Sequence, residues 1–160
     1  MAELARGAYY EAMMRLALEQ ARLAAADGET PVGAVLCRGG EVIAAGRNRR
    51  ETGRNALAHA EIEAISAACA ALGGWRLSGC ELFVTLEPCP MCAGAILNAR
   101  LDAVVFGARD AKAGACGSVF NLFAFPLNWR PALVPGVLED ECSALLREFF
   151  AALRRERRKD

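Results

Sequence analysis

Histidine is nearly absent: one residue, His59, serves the whole 160-residue chain. A multi-histidine metal centre is excluded, and any role that needs an imidazole is filled once or not at all. Net charge is also missing. Nineteen basic residues balance nineteen acidic ones, so no global field draws the chain onto a polyanion, and a nucleic-acid partner has to be met by a local patch. Long apolar runs are lacking as well. The longest uncharged stretch, residues 113–129, is broken by Gly, Asn and Pro and is too short and too polar for a bilayer-spanning helix. No basic-then-apolar leader opens the chain, and seven cysteines are an odd number. A soluble protein of a reducing, cytoplasmic compartment is expected. Internal repeats, low-complexity tracts and linkers are absent too, so residues 1–160 read as a single domain, long enough to bury roughly 70% of the surface its unfolded form exposes.

What is present alternates between strand and helix. From Ala8 to Ala26, Tyr9, Met13, Leu16, Ala17 and Leu23 recur at helical spacing until Asp27-Gly28 stops the helix. "PVGAVLCRGGEVIAAGRN" holds two strand-like runs near 32–37 and 41–46. Gly39-Gly40 joins them, and paired glycines accept the positive φ of a tight hairpin turn. An alanine-rich helix begins about residue 59 and ends at Gly73-Gly74. "CELFVTL" reads as a strand, and "PMCAGAILNAR" as a helix with Pro90 in its first turn, where a missing N–H costs nothing. "DAVVFGA" is a fourth strand, a glycine-rich loop covers 108–118, and "EDECSALLREFFAALRRERRKD" is an amphipathic helix with a basic end. This order predicts an α/β fold, a mixed sheet between layers of helices.

The chemistry lies at two of those helix starts. His59 stands two residues before Glu61 in "HAE", and Cys89 and Cys92 stand in "PCPMC". At a helix N-terminus, free backbone N–H groups and the helix dipole lower a thiol's pKa. Two thiolates and one imidazole are three zinc ligands of the catalytic kind, with the fourth tetrahedral position left for water. Glu61 then supplies the base. Residues i and i+2 do not share a face of a regular helix, so His59 and Glu61 converge only if the helix begins at about residue 59. Glu61 would carry a proton from water to a departing nitrogen without binding the metal.

H-x-E followed by P-C-x-x-C is the signature of zinc nucleobase deaminases. Through "PVGAVL", "GRN", "AHAEI", "VTLEPCPMCAGA", "VVFGARDAKAG" and "ECSALLREFF", the chain resembles the cytidine deaminase superfamily, and within it the bacterial tRNA adenosine deaminases that convert the wobble adenosine to inosine. The resemblance implies a three-layer αβα sandwich around a mixed five-stranded sheet and one Zn2+ per chain. The partners it implies are a tRNA anticodon arm and a second copy of the chain in a homodimer. It assigns His59, Cys89 and Cys92 to zinc and Glu61 to proton transfer. Asn48 would hydrogen-bond the base, Val32 and Leu86 would wall the pocket, and the backbone at Ala60 would meet the base edge. Arg109, Asp110 and Lys112 would lie beside flanking nucleotides. Apart from the resemblance, Phe149 and Phe150 read as core residues or, at that end of the last helix, as a ring such as Phe149 that stacks on a nucleotide. Two segments depart from the family's pattern near the expected RNA: Asn55-Ala56-Leu57 replaces a common Asp-Pro, and Trp129 a common histidine.

Other readings compete with this one. "CPMC" between a strand and a helix is also the glutaredoxin arrangement, but that leaves "HAE" without a role. A structural zinc module would need a fourth ligand from Cys69, Cys80, Cys116 or Cys142, which fit better as small buried apolar residues. The same zinc chemistry also suits a free nucleobase or nucleoside. "VFNLFAF" is expected in the core, and Arg154, Arg155, Arg157, Arg158 and Lys159 form either a solvated helix end or a set of phosphate contacts.

Overall fold

The computed structural model describes residues 1–160. Its elements are α1 (Ala2–Ala26), β1 (Gly33–Arg38), β2 (Glu41–Arg47), α2 (Ala60–Leu72), β3 (Cys80–Leu86), α3 (Pro90–Ala99), β4 (Ala103–Ala108), a short 3-10 turn (Leu122–Ala124), β5 (Ala132–Val134) and α4 (Glu139–Arg157). The strands form one sheet in the order β2-β1-β3-β4-β5. β1 is antiparallel to β2 and β3, whereas β3, β4 and β5 run parallel. The expected mixed five-stranded sheet between helices is therefore the fold of this chain.

Local signals explain most boundaries. Gly39 and Gly40 take φ of 59° and 81° at the β1–β2 turn, and Gly73 caps α2 with φ 72°. Pro90 opens α3. β3, α3 and β4 form a parallel crossover unit whose strands are buried almost throughout. One apolar cluster lies between the sheet and α2 and α3. A second, built on Met14, Ala17, Leu18, Phe83, Val105 and Cys142, lies under α1 and α4.

The structure departs from the sequence reading in several places. α1 begins at Ala2, six residues before the expected start, and buries Met14, Ala17, Leu18, Ala21 and Ala24, leaving Leu23 exposed. The face is rotated because α1 lies so close to β1 that a Cβ on Gly33 would strike the backbone of Ala17 and Ala21. Small side chains take that contact, Met14 and Leu18 fill the space beside it, and Leu23 is left outside. β5 had no strand signature of its own. Its three residues are recruited by pairing with Ala103–Val105. In "VFNLFAF" only Phe123 is core, while Phe120 and Phe125 are exposed, because the run folds into turns and a 3-10 helix with no face to bury. No helix is long and apolar enough to cross a membrane.

Candidate active site

α2 and α3 pack side by side on the sheet and begin at the same end of it, which brings their first turns together. The approach of α2 depends on Gly46 of β2, where a Cβ would collide with the backbone of Ala60 and Ala64. His59 is the residue just before α2, with an extended backbone (φ −78°, ψ 152°), and Glu61 is in the first turn. The break in helical geometry at His59 lets side chains two apart in sequence point into one cleft. Cys89 stands just before α3 in the same conformation (φ −76°, ψ 173°), and Cys92 lies one turn further on.

His59 Nδ1 is 3.6 Å from Cys89 Sγ and 3.5 Å from Cys92 Sγ, and the three donor atoms lie within 4.8 Å of one another. A zinc ion about 2.3 Å from sulfur and about 2.0–2.1 Å from nitrogen, at tetrahedral angles, requires S···N separations of about 3.5–3.6 Å. The donor set therefore fits a zinc ion. No further His, Cys, Asp or Glu joins the group, so a closed four-ligand structural site is not formed. The remaining cysteines are dispersed, with Cys37, Cys80, Cys116 and Cys142 buried and Cys69 half-buried.

The ionisation pattern matches a metal site. The hydrogen bond from the Cys92 thiol, reinforced by His59, holds the Cys89 sulfur well below the ordinary thiol range, while Cys92 is pushed upward by that same bond and by burial. A divalent cation would take both sulfurs as thiolates and release their protons. Glu61 is buried, and loss of solvent raises its carboxyl to about 7. A carboxyl balanced near neutrality can both accept and return a proton.

Above these groups opens a cleft of about 230 Å³ lined by Thr30, Val32, Asn48, Arg50, His59, Ala60, Glu61, Leu86, Glu87, Cys89, Asp110 and Ala113. Cys92 is fully buried beneath it. Of the residues read from sequence, Val32, Asn48, Ala60, Leu86 and Asp110 line the cleft, and Arg109, Lys112 and Phe149 do not. Arg109 pairs with Glu139 at 3.7 Å. Lys112 borders a separate groove with Leu146, Arg147, Phe150, Ala151 and Arg154. Phe149 packs edge-on against Phe150 on α4, with ring centroids 5.5 Å apart. Trp129 donates from Nε1 to the Leu101 carbonyl at 2.8 Å, past the end of α3 that lies away from Cys89. Asn55, in the other departing segment, accepts a hydrogen bond from Leu57 N at 2.9 Å and closes the turn before His59.

Sequence reasoning missed Thr30, Arg50, Ala113 and two glutamates. Glu87, buried, accepts hydrogen bonds from Asp110 N (3.2 Å), Cys116 N (3.1 Å), Ser118 N (3.1 Å) and the Ser118 hydroxyl, and so ties down the 109–118 loop. Glu29 does the same for residues 51–52 across the cleft. Only a carboxylate inside otherwise apolar "VTLEPC" hinted at Glu87, and nothing local marked Glu29.

Residues 9–154 match the family model of the MafB19-like deaminases. A tRNA-specific adenosine deaminase of Bacillus subtilis (strain 168) is 48% identical over 149 residues, which are 92% of each chain. A solved structure from work on A-to-I editing by tRNA:A34 deaminases superposes with a TM-score of 0.82 at 45% identity, covering 84% of this chain and 98% of that one. The guanine deaminase of Nitrosomonas europaea superposes with a TM-score of 0.73 at 38% identity, over 88% of this chain and 84% of its own. With its H-x-E and P-C-x-x-C segments meeting at one cleft, the chain belongs to the MafB19-like deaminase family and, within it, to the tRNA-specific adenosine deaminases.

Proposed function

We propose that the chain, as one catalytic domain over residues 1–160, hydrolytically deaminates adenosine to inosine at the wobble position of a tRNA anticodon loop. The observation that carries the chemistry is the pair of S···N distances, 3.5 and 3.6 Å, beside a buried carboxyl. The substrate assignment rests on the 48% identity to a tRNA-specific adenosine deaminase across 92% of both chains.

His59 Nδ1 and the sulfurs of Cys89 and Cys92 would hold one zinc ion per chain, which supplies Lewis-acid activation of water near neutral pH. Glu61 takes the proton of the attacking water and returns it to the departing amine, so a single carboxyl serves both transfers. Val32 and Leu86 flank the base and exclude solvent. Asn48 offers its amide to the base, and the Ala60 N–H, in the first turn of α2 where no intrahelical acceptor exists, faces the cleft. Anticodon-loop bases are already unpaired, so the enzyme avoids opening a duplex and can use flanking contacts to position the reactive carbon. Asp110 lines the cleft, and the separate groove beyond it holds Lys112 with Arg147, Phe150 and Arg154 of α4. We also infer a homodimer, supported by the family resemblance and by exposed Val119, Phe120, Phe125 and Leu127, and a cytoplasmic location, where tRNA is modified.

The second reading, deamination of a free purine, is favoured by the likeness to a guanine deaminase. One experiment separates the two. Purified protein is assayed for zinc and then offered an A34-containing anticodon hairpin beside free adenosine, cytidine, cytosine and guanine. One zinc per chain, lost in Cys92→Ala, with turnover confined to the hairpin, is the expected result. Turnover of a free base with none on the hairpin would overturn the tRNA assignment and leave the zinc chemistry standing.

A further inference from the structure

Residues 48–58 carry Asn48 at one end and lead into His59 at the other, and they contain no helix or strand. Two consecutive residues behind them, Glu29 and Thr30, hold their first half. The Thr30 carbonyl accepts Asn48 Nδ2 at 3.2 Å. The Glu29 carboxylate accepts Glu51 N on both oxygens (3.0 and 3.1 Å), Thr52 N at 3.1 Å and the Thr52 hydroxyl at 3.0 Å. Glu29 is itself anchored, since its N–H donates to the Ala24 carbonyl at the end of α1 at 2.9 Å. The residue is 1% exposed, and a buried carboxylate persists only when its donors replace water.

The consequence falls on Asn48. Arg50 N donates to Asn48 Oδ1 at 3.1 Å, so the amide has one acceptor site filled by Arg50 and one donor site filled by Thr30. Flipped, the same amide would face a carbonyl with its oxygen and an N–H with its NH2 group. The orientation is thereby set, with one N–H and one lone pair left for the cleft. Arg50 N–H stays in place because the next two residues are gripped by Glu29.

We propose that Glu29 is a positioning residue for base recognition, which by holding Glu51 and Thr52 keeps the Asn48 amide turned to offer one donor and one acceptor to the substrate. This rests on Asn48 meeting the base, as argued above. Glu29 touches neither the metal ligands nor the reacting atoms, so its contribution passes through Asn48.

A double-mutant cycle tests this, with kcat/KM measured on whichever substrate the unaltered enzyme turns over, hairpin or free base, so that failure of the tRNA assignment leaves the cycle readable. Asn48→Ala is expected to lower kcat/KM by about tenfold or more, as for removal of a well-made polar interaction with a base. Glu29→Ala is expected to lower it by about tenfold in the native background and by less than about threefold beside Asn48→Ala, because residues acting as one unit are not additive. Glu29→Gln keeps one oxygen for Thr52 and should recover part of the loss. If Glu29→Ala fails to fold, the Gln variant carries the cycle. Zinc content should be unchanged in every variant. Losses that multiply independently, or a Glu29 effect that is undiminished beside Asn48→Ala, would overturn the proposal and leave Glu29 a brace of the fold alone.

Discussion

Glu61 on the floor of the cleft and Glu29 and Glu87 on its rim are the same residue type at nearly the same burial, 4%, 1% and 2% exposed, yet their carboxyl groups are driven in opposite directions. Burial pushes all three upward. On the rim, backbone N–H groups and a hydroxyl more than offset that cost, from Thr52 and Glu51 for Glu29 and from Ser118, Asp110 and Cys116 for Glu87, and both fall below the usual carboxylate range. On the floor the partners are too few, and Glu61 rises to about 7. A carboxylate surrounded by donors is fixed as an anion and holds structure. One left short of them exchanges a proton at neutral pH and can do chemistry.

The sharpest test of that division is Glu61→Ala. It removes the proposed proton carrier and none of the loop braces, so turnover should fall at the upper end of the ~10²–10⁴-fold range for general acid–base groups, or beyond it. Zinc content and melting temperature should stay near the native values, and a variant with near-native turnover would remove Glu61 from the mechanism.

Glu87→Ala should do the reverse and strike stability first. It orphans three N–H groups and a hydroxyl, at a cost of about 3–5 kcal/mol. The Tm should drop by on the order of 10 °C. A Tm close to the native value, by calorimetry, would mean that the 109–118 loop is held by other interactions.

A pH series on Glu29→Gln probes the rim without removing the side chain. The folded pKa of Glu29 lies below its ordinary value of 4.5. Its contribution to stability is therefore present in full above the unfolded pKa and is lost as pH falls through the folded one. The Tm gap between native protein and Glu29→Gln should be widest at about pH 6–7 and close as the pH drops below about 4. A gap independent of pH would mean that charge at Glu29 is not what braces the loop.

The smallest effect is expected from deleting residues 152–160, none of which lines the cleft. Hairpin binding should weaken modestly, and its log–log salt slope should flatten by about 0.7 for each phosphate that the tail neutralises in the intact protein. An unchanged slope would make the basic end of α4 a solvated helix terminus.

The legible part of the site was the part encoded within a few residues. "HAE" and "PCPMC" each sit where a capping position opens a helix, and local rules locate such openings. The sequence left a closed zinc module as a competing reading, with Cys69, Cys80, Cys116 or Cys142 as its fourth ligand, and it is the folded chain that brings none of them to His59, Cys89 and Cys92. Nor could the sequence place Arg109, Lys112 and Phe149, whose positions depend on how a loop and α4 lie against the rest of the chain. Arg109 turned to Glu139, Lys112 borders a groove apart from the cleft, and Phe149 packs on its neighbour Phe150.

By itself, then, the sequence determined most helix and hairpin boundaries and the segments that carry the candidate site residues His59, Glu61, Cys89 and Cys92, because each is written in contiguous residues whose backbone preferences act locally. Tertiary structure alone decided that three residues, Ala132–Val134, would become a strand, that α1 would turn its alanines to the sheet, and that Glu29 would grip a loop 22 positions away. Each of these is decided by what the folded chain brings alongside, a free strand edge, a close-packed glycine or an unpaired N–H, and none of those partners lies within reach along the chain.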